Sequence, residues 1–214
     1  NSSNVLIGSA ITDVSGNYTI SVKPGHYYLK VASPTDYLFT LANQGSDNTD
    51  SEVDGSNGFG TTPLITFTGG TPNNSMDIGM NKCIKLGEQV FYDTDKDDIW
   101  DNVENGINGL LVKLYRKVNN VWTLHQSTYT GHKPGTPSDD GYWTFCVPPG
   151  TYYIHFNIPP IGLVPVKKDK LGVIALTNPN EQGNDSDIDF SGNTDQFTVV
   201  SGQNINNIGA GFYP

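Results

Sequence analysis

Lys85-Leu-Gly-Glu-Gln-Val-Phe-Tyr-Asp-Thr-Asp-Lys-Asp-Asp-Ile-Trp-Asp-Asn-Val-Glu-Asn-Gly-Ile-Asn-Gly-Leu-Leu-Val-Lys-Leu-Tyr115 holds the reading that decides the fold. Its middle, Asp93 to Glu104, has the spacing of a twelve-residue calcium loop. Side-chain oxygens fall at positions 1, 3 and 5 (Asp93, Asp95, Asp97), the Ile99 carbonyl at 7, Asp101 at 9 and Glu104 at 12. Carboxylates this close repel one another unless a cation sits among them. Position 6, where a sharp turn normally requires glycine, is Asp98, a residue type that tolerates the left-handed region better than most. In a helix–loop–helix sensor the flanks are helical. Here Lys85–Tyr92 and Gly109–Tyr115 carry β-branched and aromatic residues with partial period-2 alternation, and they read as strands. A cation loop strapped between strands is a structural staple rather than a switch. The competing reading is an acidic, solvated loop without metal.

Working outward, the 214-residue chain has room for one large or two modest domains. Its 24 glycines, 13 prolines and 11 tyrosines, with only 16% charged residues, describe short strands joined by many turns. The formal net charge is −10, which argues against nucleic acid and anionic membrane as partners. The acid is gathered at 47–54, 93–104 and 185–189, a distribution suited to cations. No apolar run is long enough to predict membrane insertion, and no leader is visible at Asn1, which reads as a mature or excised piece. Cys83 and Cys146 have neither a metal nor a redox spacing, so a bridge and two free thiols both stay open.

The two halves repeat each other. Gly16–Val31 lies over Gly141–Phe156 without a gap: Tyr18, Ile20 and Val22 match Trp143, Phe145 and Val147, and Tyr27, Leu29 and Val31 match Tyr152, Ile154 and Phe156. Pro24-Gly25 and Pro149-Gly150 read as the turn of a hairpin between paired strands. Asn43–Asp54 resembles Asn180–Asp189, placing Asp50, Glu52 and Asp54 over Asp185, Asp187 and Asp189 as further cation ligands. A final strand pair is expected in each half, Leu64–Thr68 with Met76–Met80 and Gln196–Val200 with Ile208–Phe212. The predicted domains are 1–82 and 83–214. The first has no counterpart of Lys85–Tyr115, so about two strands and the calcium loop are missing from it. The expectation is either an excised fragment or a domain completed by strand addition from a neighbouring repeat or subunit.

The sequence from Leu86 to Asp93, the Asp/Asn-rich loop, Glu104-Asn-Gly-Ile107, Gly141-Tyr-Trp143, Pro149-Gly-Thr-Tyr-Tyr153 and the late Gly-Asn-Asp-Ser-Asp cluster resemble the B domains of serine-aspartate repeat surface proteins. The resemblance covers nearly the whole chain, as one complete copy and the later part of another. It implies an all-β fold of tandem immunoglobulin-like, prealbumin-like β-sandwiches that bind Ca2+, the first lacking its N-terminal strands. It also implies an extracellular place at a bacterial cell surface, as the stalk or spacer of an adhesin or filament.

Two other functions compete with the stalk. A glycan- or protein-binding module would use an aromatic platform from Tyr28, Tyr37, Trp100, Trp122, Tyr129 and His132, with the 126–140 loop as the contact particular to the second copy. An enzyme has no support: the four histidines sit in unrelated positions, and no phosphate loop, nucleophile elbow or zinc spacing is present. A further reading is an isopeptide cross-link from Lys85 to Asn206 or Asn207 with Glu88 as its acid.

Overall fold

The structure, a computed structural model, describes residues 4–46, 50–70, 72–101, 104–136, 138, 140–158, 162–171 and 184–213. Asp47–Thr49 and Asn180–Gly183, from the two matched acidic stretches, lie outside the described residues. So do Asn102 and Val103 of the expected calcium loop and Pro137 and Asp139 of the 126–140 segment. The chain divides into two compact units, Asn1–Asn81 and Lys82–Pro214.

The second unit is a two-sheet sandwich built from β5 (Ile84–Tyr92), β6 (Leu111–Val118), β7 (Val121–Tyr129), β8 (Tyr142–Val147), β9 (Gly150–Phe156), β10 (Val164–Pro165), β11 (Phe197–Val199) and β12 (Ala210–Tyr213). One sheet has the order β10-β12-β5-β8 and the other β11-β9-β6-β7. All pairings are antiparallel except β12 with β5. Alternation along each strand fills the space between the sheets. Leu86, Val90, Trp143, Phe145 and Phe212 from one sheet meet Val112, Leu114, Tyr152, Ile154 and Phe156 from the other, all buried in one cluster. The Trp143 and Phe156 rings meet edge to face across the interior, 5.4 Å between centroids.

Two expectations about pairing are corrected here. β8 pairs with β5 and β9 pairs with β6 and β11, so Pro148-Pro149-Gly150 carries the chain from one sheet to the other instead of turning a hairpin. Two consecutive prolines supply no N–H, so the segment cannot extend either ladder. Likewise β11 and β12 belong to different sheets and form no pair. The disulfide Cys83–Cys146 is formed, with the Cα atoms 5.3 Å apart. It ties the residue before β5 to β8, where Lys85 stands opposite Cys146. The 126–140 loop is shorter than expected, because Gln126–Tyr129 belong to β7.

In the first unit β1 (Gly25–Tyr27) pairs with β3 (Ile65–Phe67), and β2 (Tyr37–Phe39) with β4 (Met80–Lys82). The first pair reproduces β9–β11 in register, and the second corresponds to β10–β12. Gly25 faces Phe67 as Gly150 faces Val199, and Tyr27 faces Ile65 as Tyr152 faces Phe197. Tyr27 donates its hydroxyl to the Lys23 carbonyl (3.0 Å) as Tyr152 does to Pro148 (2.7 Å). The Leu29 amide donates to Thr62 Oγ1 (3.1 Å) as that of Ile154 does to Thr194 Oγ1 (3.0 Å). Counterparts of β5, β6 and, beyond the expected two strands, β7 are absent from the described residues of this unit. The counterpart of β8, Tyr18–Val22, alternates in burial but is not a strand. With half a sandwich, Val53 is its one buried hydrophobic residue among those described.

Glu88 faces inward opposite Trp143 on β8. Burial pushes its carboxyl up to about 7, opposed by the charge of Lys133. The charged form is the one that burial disfavours. Stability is therefore full below the unfolded carboxyl value near 4.5 and is lost as pH rises toward 7. Allowing for its partial solvation, the loss is on the order of 2 kcal/mol. Thermal unfolding between pH 5 and pH 8 is expected to show this decline in the wild type and a flatter profile in Glu88→Gln. Parallel profiles would remove the assignment. Lys85, three residues away, lies on the exposed outer face, so the Lys85–Glu88 pair that the cross-link needs shares no core.

Candidate metal site

The loop leaves the end of β5 at Asp93, whose amide donates to the Phe212 carbonyl of β12 (2.9 Å). Asp93 is buried at 1% exposure, deep for a carboxylate. Its two oxygens accept from the amides of Lys96 (2.6 Å) and Asp98 (2.9 Å). Asp95 Oδ1 accepts from the Asp97 amide (3.3 Å), and Asp97 Oδ1 from the Ile99 amide (2.8 Å). One carboxylate oxygen from each of Asp93, Asp95 and Asp97 lies within 4.8 Å of the others. A carboxylate oxygen has a second lone pair after accepting one N–H, so these bonds aim the group without exhausting it. Glu104 closes the loop from its far end, accepting from the Thr94 amide at Oε1 (2.7 Å) and the Asp101 amide at Oε2 (3.4 Å). Its carboxyl is raised by burial and further by the charges of Asp93 and Asp101. Asp101 is exposed and Ile99 half-buried. Hard oxygen donors converging with like-charge repulsion fit a Ca2+ ion.

Asp98 adopts φ +68°, the left-handed turn expected of position 6, and Lys96 adopts φ +66°. The Asp98 side chain turns away from the other carboxylates. Its Oδ1 accepts from the Lys167 amide (3.0 Å) and its Oδ2 pairs with Lys170 Nζ (3.1 Å), and these partners hold the carboxyl below its usual range. The glycine position has thus become a docking point for the segment after β10.

The late acidic residues separate into distinct positions. Ile99 bridges to Asp185, and the Trp100 amide donates to the Asn184 carbonyl (2.5 Å), so this stretch runs along the loop. Asp185 is buried, which raises its carboxyl, while the Leu171 amide donates to its Oδ2 (2.8 Å). Asp187 is buried, and its Oδ2 accepts from the Gly209 amide (2.7 Å). Glu52 repeats that contact, accepting from the Asp77 amide. Asp50 accepts from the Gly45 amide (3.1 Å). Asp189 and Asp54 are exposed and cap turns through the Ser191 and Asn193 amides and the Ser56 amide, respectively. Among the described residues, convergence on one point is shown for Asp93, Asp95 and Asp97.

Sequence reading passed over Asp169, which lies beside Asp185 and is raised by burial and by the charges of Asp185 and Asp195, with Lys168 opposing. Lys168 reaches Asp195 at 2.7 Å. The signal available was the repeat: Asp169 and Asn43 both sit at left-handed φ and each donates its amide to the serine carbonyl of the matched acidic stretch. Among the described residues no ring contact joins any two of the six expected platform residues. Trp122 instead meets Tyr153 edge to face at 4.8 Å, and Tyr153 stacks on Tyr115 at 4.7 Å, as cross-strand partners do on an outer sheet face.

The SdrD B-like domain family matches residues 1–80 and again 84–212. Serine-aspartate repeat-containing protein F of Staphylococcus epidermidis is 36% identical over 156 residues, 72% of this chain and 9% of that protein. Serine-aspartate repeat-containing protein D of Staphylococcus aureus strain Newman is 32% identical over 212 residues, 97% of this chain and 14% of that protein. The chain spans about a tenth of the length of these relatives. With two matches that meet near the division between its units, the chain belongs to the family of SdrD B-like domains.

Proposed function

We propose that this chain is a calcium-stiffened stalk or spacer segment of a bacterial surface adhesin or extracellular filament. The family is one of structural domains and not of enzymes. The convergence of Asp93, Asp95 and Asp97 within 4.8 Å carries the metal part of the reading. A Ca2+ ion there would be held by these three, the Ile99 carbonyl, Asp101 and Glu104, with Asp185 and Asp187 as supporting acids. Its charge would offset the burial, and the smaller repulsion from Asp93 and Asp101, that raise Glu104. The loop also touches β12, the Lys167–Lys170 segment and the Asn184–Asp185 segment, so fixing it would fix one end of the sandwich. The Cys83–Cys146 bridge suits an oxidising, extracellular compartment.

Calorimetric titration of the full chain with calcium tests this reading. At least one site is expected in the second unit, with affinity falling at least tenfold in Glu104→Ala. Unchanged affinity in that variant would overturn the assignment. Asp185→Asn with Asp187→Asn is expected to lower affinity or stoichiometry, and no change in either would confine the site to the loop.

A further inference from the structure

We propose, on the calcium reading of the 93–104 loop, that Asp98 is a specificity-determining residue. It holds the loop at the radius of Ca2+ and so discriminates against the smaller Mg2+. In a loop of this kind position 6 has only to make a turn, for which glycine suffices. Asp98 makes the turn, at φ +68°, and adds a tether. Its amide donates to Asp93 Oδ2 (2.9 Å), on the side of the converging carboxylates. Its own carboxylate reaches the other way, with Oδ1 accepting from the Lys167 amide (3.0 Å) and Oδ2 from Lys170 Nζ (3.1 Å). One residue thus joins the first carboxylate of the loop to the segment after β10.

The far end of the tether is fixed. On one side of Lys167, the buried Val166 donates its amide to the Gly211 carbonyl of β12 (3.0 Å). On the other side, Lys168 bridges to Ser186, and the Asp169 amide donates to the Ser186 carbonyl (2.9 Å). Asp93 is itself held to β12, through its amide and the Phe212 carbonyl (2.9 Å). Asp93, Asp98, Lys167, Val166 and two adjacent residues of β12 therefore close a ring. Every contact in the ring is between protein groups, so it stands before a cation arrives. Ile99 and Trp100, next along the loop, are fastened separately to Asp185 and Asn184.

Size decides which ion such a frame accepts. Ca2+ takes its oxygens at about 2.3–2.6 Å in a tolerant geometry, whereas Mg2+ demands about 2.0–2.1 Å and a near-ideal octahedron. Closing on Mg2+ would draw the ligands inward by roughly 0.4 Å. The Asp98–Lys167 bond, 3.0 Å long, would then stretch to about 3.4 Å, past the ~3.2 Å limit of a good N–H···O bond. Neither end follows: neighbours on both sides hold the Lys167 amide, and Asp93 holds the Asp98 backbone. With glycine at this position nothing would oppose the contraction. The tether therefore penalises Mg2+ and leaves Ca2+ unaffected. The charge of Asp98 cannot do the same, because it acts alike on two ions of equal charge and cancels in the ratio of their affinities.

The test titrates the full chain calorimetrically with calcium chloride and, separately, with magnesium chloride. The ratio of Ca2+ to Mg2+ affinity is expected to fall at least tenfold in Asp98→Gly, through tighter Mg2+ binding. Glycine takes a positive φ without cost, so this variant keeps its turn. Asp98→Asn keeps an oxygen for the Lys167 amide and removes the charge. Its ratio is expected to stay within about threefold of the wild type, although both affinities fall. An unchanged ratio in Asp98→Gly, or an equal fall in Asp98→Asn, would overturn the proposal and leave the calcium site standing. A fall caused only by weaker Ca2+ binding would mean that Asp98 merely orders the loop, and would overturn it as well. A wild type that binds no calcium would overturn both.

Discussion

Replacing Cys83 and Cys146 together by Ser is expected to lower the stability of the second unit by about 4 kcal/mol. The bridge closes a loop of 63 residues that contains the acidic 93–104 loop, β6 and β7. In the unfolded chain that closure removes conformational freedom in proportion to the logarithm of loop length, which gives the figure above. In the folded unit the bond joins strands that are already paired, so cutting it removes no buried side chain from the core. Denaturant unfolding of the double variant should therefore show a lower midpoint with a similar native near-ultraviolet spectrum. A reductant should produce the same shift in the wild type and none in the variant. A change below about 1 kcal/mol would mean that the unfolded chain is restricted by something else.

Asp93→Ala is expected to abolish the dependence of stability on calcium. At a hundredfold excess over Kd, a single site that binds only the folded state adds about 2.7 kcal/mol. Removing Asp93 also strips the Lys96 and Asp98 amides of their acceptor; these bonds are partly buried, so the cost is at the low end of the about 1–3 kcal/mol for a buried donor left without one. The two effects separate by condition. In chelator the variant should show the hydrogen-bond loss, reduced by the carboxylate repulsion that removing Asp93 relieves. In millimolar calcium it should trail the wild type by the sum, read as the difference in unfolding midpoints. If the variant still gains stability on adding calcium, the ion binds elsewhere.

Particular residues show how far sequence carries. The turn of the acidic loop was legible because its demands are local: carboxylate spacing is fixed within twelve residues, and Asp is a residue type that tolerates the left-handed φ seen at Asp98. The repeat was legible because alternation survives substitution, as in Tyr18 for Trp143. The partner of each strand was not. Inward alternation in β8 and β9 reads the same whether the two share a ladder or face each other across a core, and only the doubled proline at 148–149 hinted at the second. The pairing of Cys83 with Cys146 was undecided for the same reason, since it depends on β5 lying beside β8. The docking of Lys167 and Lys170 on Asp98 spans about seventy residues and leaves no local pattern.

The parallel contact between β5 and β12 bears on force. The first and last strands of the second unit run side by side in the same direction, so the unit begins at one end and finishes at the other. Tension applied through its two ends pulls these neighbours along their length in opposite senses. Their hydrogen bonds, with the Leu86↔Ile205 bridge, then bear the load together instead of opening one after another. The cation loop and its contacts to Phe212 and Lys167 lie at the end where that load enters. Such a unit resists extension best along the line that joins its two ends.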